Sequence, residues 1–252
     1  MELGITNRVA LVTGAGRNIG RAIALALGTE GARIIIVART QTHLDDLLAG
    51  LPGGPDRHLG IALDLQQSDS AQRLSDSIPG HFGRPEIIVH NLGGSLGLTD
   101  PLATAGEWMK VWHFNVGIAH ELNRLFLGDM VQRRWGRILH LSTLSTQSFD
   151  GHPAYVSAKC ALEGYVKSMA RRVSRHNVIL NILAPGLIDL NGRYYSRLKQ
   201  DDPPRMEEYF DHHLPIRRMG SAAEIAEIAA FLCSEQAAFM PGSIVRADGG
   251  GT

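Results

Sequence analysis

Two residues that could move a proton together, Tyr155 and Lys159, stand four apart in the stretch Tyr155-Val156-Ser157-Ala158-Lys159. In a helix that spacing puts both side chains on one face, about one turn apart. A free phenol has a pKa of about 10 and is a poor acid or base near neutrality, but a neighbouring ammonium stabilises the phenolate and lowers that value. The pair is therefore a candidate general acid/base. A second cluster is Thr13-Gly14-Ala15-Gly16-Arg17-Asn18-Ile19-Gly20, which leads into the apolar stretch Ala22 to Leu27. Glycines there let the backbone turn tightly and approach a pyrophosphate, whose charge the free N–H groups of a helix N-terminus stabilise. The chain has 11 histidines, but His212 and His213 are adjacent and face different ways on a helix, and there is no His-x-x-x-His pair. No metal is expected.

The elements that must position these groups alternate. Short β-branched runs predict strands at Val9 to Val12, Arg33 to Val37, His58 to Leu63, Ile87 to Asn91, Arg137 to Ser142, Val178 to Leu183 and near Ser243 to Arg246. Longer patterns predict helices at Ile19 to Thr29, Thr42 to Leu48, Asp69 to Ile78, Thr104 to Met130, Ala154 to Ser174 and Ala222 to Leu232. Such alternation is the signature of βαβ units, so the expected fold is α/β: a single-domain Rossmann fold over 1–252, with a doubly wound parallel sheet of about seven strands and helices on both faces. Ligands of such sheets bind beyond the carboxyl ends of the strands, and the two clusters above do follow strands. One irregular stretch, from Gly186 to Gly220, includes Asp201-Asp202-Pro203-Pro204 and reads as a substrate lid at about 187–219.

Composition narrows the classes. With 252 residues, 44% hydrophobic and 20% charged, the chain is neither disordered nor fibrous. Lys plus Arg is 25 and Asp plus Glu is 25, so neither a nucleic-acid surface nor a polybasic membrane patch is expected. Cys160 and Cys233 match no zinc or disulfide spacing, no apolar run approaches the roughly 20 residues that span a bilayer, and no signal peptide is readable. The expectation is a cytoplasmic protein. Glycine, at 28 residues, exceeds the usual share of roughly 7%.

Thr13-Gly14 to Gly20 resembles the T-G-x-x-x-G-x-G turn of the short-chain dehydrogenases/reductases, with Asn18 in place of the middle glycine. Asp64-Leu65, Asn91-Leu92-Gly93, Asn115, Tyr155-x-x-x-Lys159, Pro185-Gly186 and Asp248-Gly249-Gly250 follow in the family's order, so the resemblance covers essentially the whole chain. Asn tolerates positive φ better than other residues with a side chain, so the turn should survive. The resemblance implies an NADP(H)-dependent oxidoreductase that carries a hydride between nicotinamide and a ketone or secondary alcohol. Tyr155 would serve as general acid/base, assisted by Lys159 and a Ser/Thr hydroxyl. Ala38 stands where NAD-preferring members have an Asp, while Arg17 and Arg39 resemble the basic pair that holds the 2′-phosphate of NADP. Asp64 and Leu65 should meet the adenine. Asn91, Leu92 and Gly93 should line the adenosine side, and Pro185 and Gly186 should pass the nicotinamide. Gly14, Gly16, Ile19, Gly20, Thr40 and Ile188 complete the expected cofactor set. Leu190 replaces the family's usual Thr or Ser after that Gly.

The catalytic hydroxyl is ambiguous. Counting along the strand from Gly136 favours Thr143, counting back from Tyr155 favours Ser142, and Ser145 is a third option. Asn115 resembles the helix Asn whose backbone holds a water connecting Lys to solvent; a buried Asn supporting a helix bend is the plainer reading. Substrate contacts are expected from Ser145, Phe149, His152, Tyr194 and Tyr195, with Arg193 and Arg197 supplying charge nearby. The partner expected is a small carbonyl or alcohol, and the family resemblance implies a homotetramer or homodimer. Two other readings compete: a non-catalytic nucleotide sensor, against which the intact Tyr155 and Lys159 argue, and an enoyl reductase, a branch that usually spaces its Tyr and Lys more widely.

Overall fold

The structure, a computed structural model, describes residues 2–190 and 194–251. Seven strands form one parallel sheet: β1 (Val9–Thr13), β2 (Arg33–Ala38), β3 (Leu59–Ala62), β4 (Ile87–His90), β5 (Gly136–Leu141), β6 (Val178–Pro185) and β7 (Ile244–Ala247). Their order is β3-β2-β1-β4-β5-β6-β7, so the chain reverses direction across the sheet between β1 and β4. Strand residues alternate between two cores. Val9, Leu11, Ile35, Val37 and Ile88 join one, and Ala10, Val12, Ile34, Ile36, Ile87 and Val89 join the other. Both faces are thus buried, which is why these strands read as continuous apolar runs.

Helices α1 (Asn18–Thr29), α2 (Gln41–Gly50), α3 (Ser70–Asp76), α4 (Ala105–Trp112), α5 (Ile118–Arg133), α6 (Ser145–Ser148), α7 (Pro153–Val173), α8 (Tyr194–Asp201), α9 (Pro203–His213) and α10 (Ala222–Leu232) cover the sheet or cap its edge. No helix among the described residues is long and apolar enough to cross a membrane. Two expectations need correction. The helix expected from Thr104 to Met130 is split by a π-turn at His113–Gly117. Its cause is Asn115, whose Nδ2 donates to the Val111 carbonyl at 2.8 Å, taking the acceptor that the backbone N–H four residues on would use in an unbroken α-helix. The stretch read as irregular instead contains α8 and α9. The Asp202 side chain caps α9 by accepting from the Arg205 N–H, Pro203 fits its first turn, and Met206, Phe210, Leu214 and Met219 form a small core of their own.

Under the sheet lies a polar seam. His90 and His140 are register partners on β4 and β5 and their rings stack at 4.5 Å. From α5, Asn123 accepts from His90 Nε2 at 2.9 Å and donates to the Tyr165 hydroxyl of α7 at 3.1 Å. Burial pulls His90 down to about 4 and His140 well below the ordinary histidine range, so both rings are neutral near pH 7.

A folded pKa below the unfolded one leaves stability intact above about 6.5 and removes it as pH falls toward 4, by about 3 kcal/mol for His90 in full. The urea midpoint is expected to drop between pH 7 and pH 5 and His90→Asn to flatten that drop; a wild-type midpoint that does not move would refute the neutral seam.

Candidate active site

At the carboxyl edge of the sheet, a cleft of about 740 Å³ runs from the turn after β1 to the start of α7. Its floor at one end is the glycine-rich turn. Gly14 and Asn18 both have left-handed backbones, with φ of 64° and 53°, so the Asn in place of glycine keeps the turn. A Cβ on Gly20 would lie 2.4 Å from Asn91 Nδ2 and 2.5 Å from the Gly14 carbonyl oxygen. Asn91 is the staple here: its Nδ2 donates to the Thr13 and Gly14 carbonyls at 3.2 and 3.1 Å, and its N–H to the Thr13 hydroxyl at 3.1 Å.

Gly16, Arg17, Ile19, Ala38, Arg39, Thr40, Asp64, Leu65, Leu92, Gly93 and Pro185 also line the cleft. Arg17 and Arg39 are exposed and form no ion pair with the described residues. Asp64 Oδ1 accepts from the Gln66 N–H at 3.0 Å, which shapes the turn after β3. Two residues of the expected cofactor set do not line the cleft, and neither do Thr143 and Asn115 of the expected catalytic set. Gly186 packs on Asp248, whose Cα would be 2.5 Å from an added Cβ, and Ile188 forms a β-bridge to Gly220. Leu190 does line it, and its backbone N–H and carbonyl both bond the Ser196 hydroxyl, at 3.1 and 3.0 Å. Sequence reasoning missed His43, Gln66, Ser95 and Phe114, which also face the cleft. The chain has no periodic signal for such loop and helix-end residues; only their proximity to expected contacts could have found them. A glycine turn with no room for a Cβ at Gly20, next to two guanidinium groups that form no ion pair with the described residues, fits a phosphorylated dinucleotide.

At the other end, α7 begins with Pro153 in its first turn and delivers Tyr155 and Lys159 to the cleft. Lys159 is 3% exposed, and its Nζ donates to the Leu141 carbonyl at 2.7 Å. Burial lowers its pKa to about 8, opposed by the Glu163 carboxylate. Tyr155 differs from expectation: burial raises its phenol, and the group opposing that rise is the hydrogen-bonding Thr143 hydroxyl. The reason is geometric, since the Lys159 Nζ is 5.9 Å from the Tyr155 ring centroid and directed at Leu141.

The two candidate hydroxyls part company just past β5. Thr143 meets Tyr155 and lies 3.4 Å from the Ser145 Oγ, whereas the Ser142 Oγ donates to Glu163 Oε1 at 2.6 Å. Ser142 lines the cleft, but its hydroxyl is engaged on the α7 side. Asn115 is used in full: Oδ1 accepts from the Gly94 N–H at 3.0 Å, and Nδ2 donates to the Gly94 and Val111 carbonyls at 2.9 and 2.8 Å. A Cβ on Gly93 would be 2.7 Å from both Asn115 Oδ1 and Lys159 Nζ, so the three meet at one point. Of the expected substrate residues, Ser145 adjoins Thr143, Phe149 is 71% exposed, and His152 is exposed at the start of α7. Tyr195 packs against the small core of α8 and α9, 4.8 Å from the Tyr209 ring centroid. Arg193 and the Tyr194 side chain lie outside the described residues.

A family model described as enoyl-(acyl carrier protein) reductase matches residues 14–252. A 3-oxoacyl-[acyl-carrier-protein] reductase of Pseudomonas aeruginosa is 32% identical over 249 residues, 98% of each chain, and that of Escherichia coli K12 is 31% identical over 96% of each. Among solved structures, L-sorbose reductase from Gluconobacter frateurii, complexed with NADPH and L-sorbose, superposes with a TM-score of 0.89 at 31% identity, covering 99% of this chain and 98% of that one. A 3-oxoacyl reductase from Agrobacterium tumefaciens C58 with NADP bound gives 0.87 at 28% identity, covering 99% and 96%.

Gly20→Ala should destabilise the protein by about 1–3 kcal/mol, because the clash is with backbone and with the Asn91 staple. Asn18→Gly, at a position already left-handed, should stay within about 1 kcal/mol of wild type. Urea midpoints of the two variants check both; equal stability would remove the cradle argument.

Proposed function

The chain belongs to the short-chain dehydrogenase/reductase family, and from that premise we propose that it is an NADP(H)-dependent oxidoreductase acting on a ketone or secondary alcohol, with Tyr155 as its general acid/base. One observation carries this reading: the Tyr155 phenol, with the Thr143 hydroxyl against it, and the buried Lys159 ammonium sit at one end of a cleft whose far end has two arginines that form no ion pair with the described residues.

Bound NADPH supplies the hydride that reduces the carbonyl carbon. The chain's own residues do the rest. Arg17 and Arg39 grip the 2′-phosphate, helped by the absence of a carboxylate at Ala38. The N–H groups of the turn from Gly14 to Gly20 receive the pyrophosphate at the start of α1. Asp64 and Leu65 would contact the adenine, Leu92 and Gly93 would flank the adenosine, and Pro185 would border the nicotinamide, with Gly186 and Ile188 shaping the backbone behind it. Tyr155 gives its proton to the substrate oxygen, and the Thr143 hydroxyl holds that oxygen and the phenol together and favours the phenolate left behind, while Lys159, bonded to the Leu141 carbonyl, closes the buried floor of the site. Asn115 keeps the Gly94 backbone and the Lys159 chamber in shape. The segment 187–219 forms the substrate lid of this single domain, with Ser145, Phe149, His152 and Tyr195 as substrate contacts.

The ketone class finds support in the names of the relatives, which reduce 3-oxoacyl groups or a keto sugar. The same reading extends to a cytoplasmic homotetramer or homodimer. Exposed Met109 and Trp112 on α4 supply apolar surface for a second copy, and both cysteines are free.

NADPH oxidation against ketones, β-keto esters and enoyl thioesters tests the reading. Activity is expected on the carbonyl compounds. Tyr155→Phe should lower kcat by about 10²–10⁴ and Thr143→Ala by more than Ser142→Ala. Turnover of the enoyl thioesters alone would favour the enoyl reductase, and cofactor binding with no turnover the sensor. In the same assay Arg39→Asp should cut the preference for NADPH over NADH by about 10- to 100-fold, through loss of a charge-assisted contact; an unchanged preference would reject the phosphate role.

A further inference from the structure

Glu163 stands one helical turn beyond Lys159 on α7, which itself stands one turn beyond Tyr155, so the three form a single stripe. Its Oε1 accepts from the Ser142 hydroxyl at 2.6 Å and from the Thr146 hydroxyl at 2.8 Å. The Thr146 hydroxyl is also 2.9 Å from the Thr143 carbonyl. One carboxylate oxygen thus ties both ends of the segment Ser142 to Thr146, and Thr143 lies between the ties. The backbone of the same segment is pinned from the other side, where the Ser142 and Leu144 N–H groups donate to the Leu183 and Pro185 carbonyls of β6 at 2.8 and 3.0 Å. With Ser142 turned to Glu163, the hydroxyl left to meet Tyr155 is that of Thr143.

We propose that Glu163 is a positioning residue for the reaction: it selects Thr143 over Ser142 as the hydroxyl facing Tyr155 and supplies the negative charge that keeps Lys159 an ammonium. The inference rests on the reading of Tyr155, Thr143 and Lys159 given above. The titratable and charged groups facing Lys159 are Tyr155 and Glu163 from α7 and the neutral His140 from β5, while Asn115 of the π-turn contributes an uncharged amide. Glu163 is therefore the one negative charge among them, and it raises the Lys159 pKa against the effect of burial.

The test compares wild type with Glu163→Ala, Glu163→Gln and the double variant Ser142→Ala/Thr146→Val, by steady-state NADPH oxidation with a β-keto ester from pH 6 to 9 and by thermal melting. Glu163→Ala and the double variant should lose on the order of 10- to 100-fold in kcat while KM for NADPH stays within about threefold, since displacing a reacting hydroxyl slows chemistry more than binding. Glu163→Gln keeps an oxygen acceptor for both hydroxyls and should recover most of kcat at pH 7, but its alkaline limb should move to lower pH as Lys159 loses its counter-charge. A purely structural role would lower the melting temperature and leave kcat per folded site and the pH profile unchanged. That result, or wild-type kcat in Glu163→Ala, overturns the proposal. Full activity of Tyr155→Phe would instead overturn the underlying functional reading, whereas an inactive Tyr155→Phe beside an unaffected Glu163→Ala would remove the Glu163 inference alone.

Discussion

The burial of the Lys159 ammonium is the constraint around which the rest of the site is arranged. A buried charge is costly unless it is hydrogen-bonded and paired, and Lys159 is nearly closed off from solvent. It is satisfied by the Leu141 carbonyl, where β5 ends, and balanced by Glu163 one turn along its helix. Room for its head group beside Asn115 exists because Gly93 has no Cβ. Asn115 in turn occupies its place because the helix opens into a π-turn around it. A glycine, an amide set in a helix defect and a carboxylate, from three separate points of the chain, thus serve one ammonium group.

The same region carries a second departure from a dry core. His90 and His140 stack in the middle of the sheet, bonded through Asn123 to Tyr165, with His140 close enough to Lys159 to feel its charge. Neutral rings are compatible with a cation above them, whereas protonated ones would repel it. Protonation of either ring at low pH would set a second buried charge beside the Lys159 ammonium.

Around the cleft, rigidity is uneven. The dinucleotide end is built on strand ends and the Asn91 staple, while the α8 and α9 pair has a small core of its own apart from the sheet. An element packed on itself, whose two flanks are tied to each other by an isolated bridge between Ile188 and Gly220, can change without disturbing the cofactor cradle. This division suits a fold in which cofactor binding is common to many members and substrate choice is not.

The alternation of strands and helices, the glycine turn with its tolerated Asn18, the Tyr155 and Lys159 stripe and the arginines after β1 and β2 were legible in the amino-acid order, because each depends on local periodicity or on a short spacing along the chain. Helices α8 and α9 were less so, since a charge-rich stretch masked the Asp202-Pro203 cap and the four buried side chains behind it. Which hydroxyl meets the phenol could not be decided by counting, because two counts differed by one residue. The difference between the two hydroxyls belongs to the tertiary structure: a carboxylate 21 residues away takes the Ser142 hydroxyl, while Thr143 is set against Tyr155. The pairing of His90 with His140 belongs to the same class. Periodicity reports which face a side chain occupies, whereas partners brought together from distant segments are set by strand order and helix packing, and these exist only once the chain has closed.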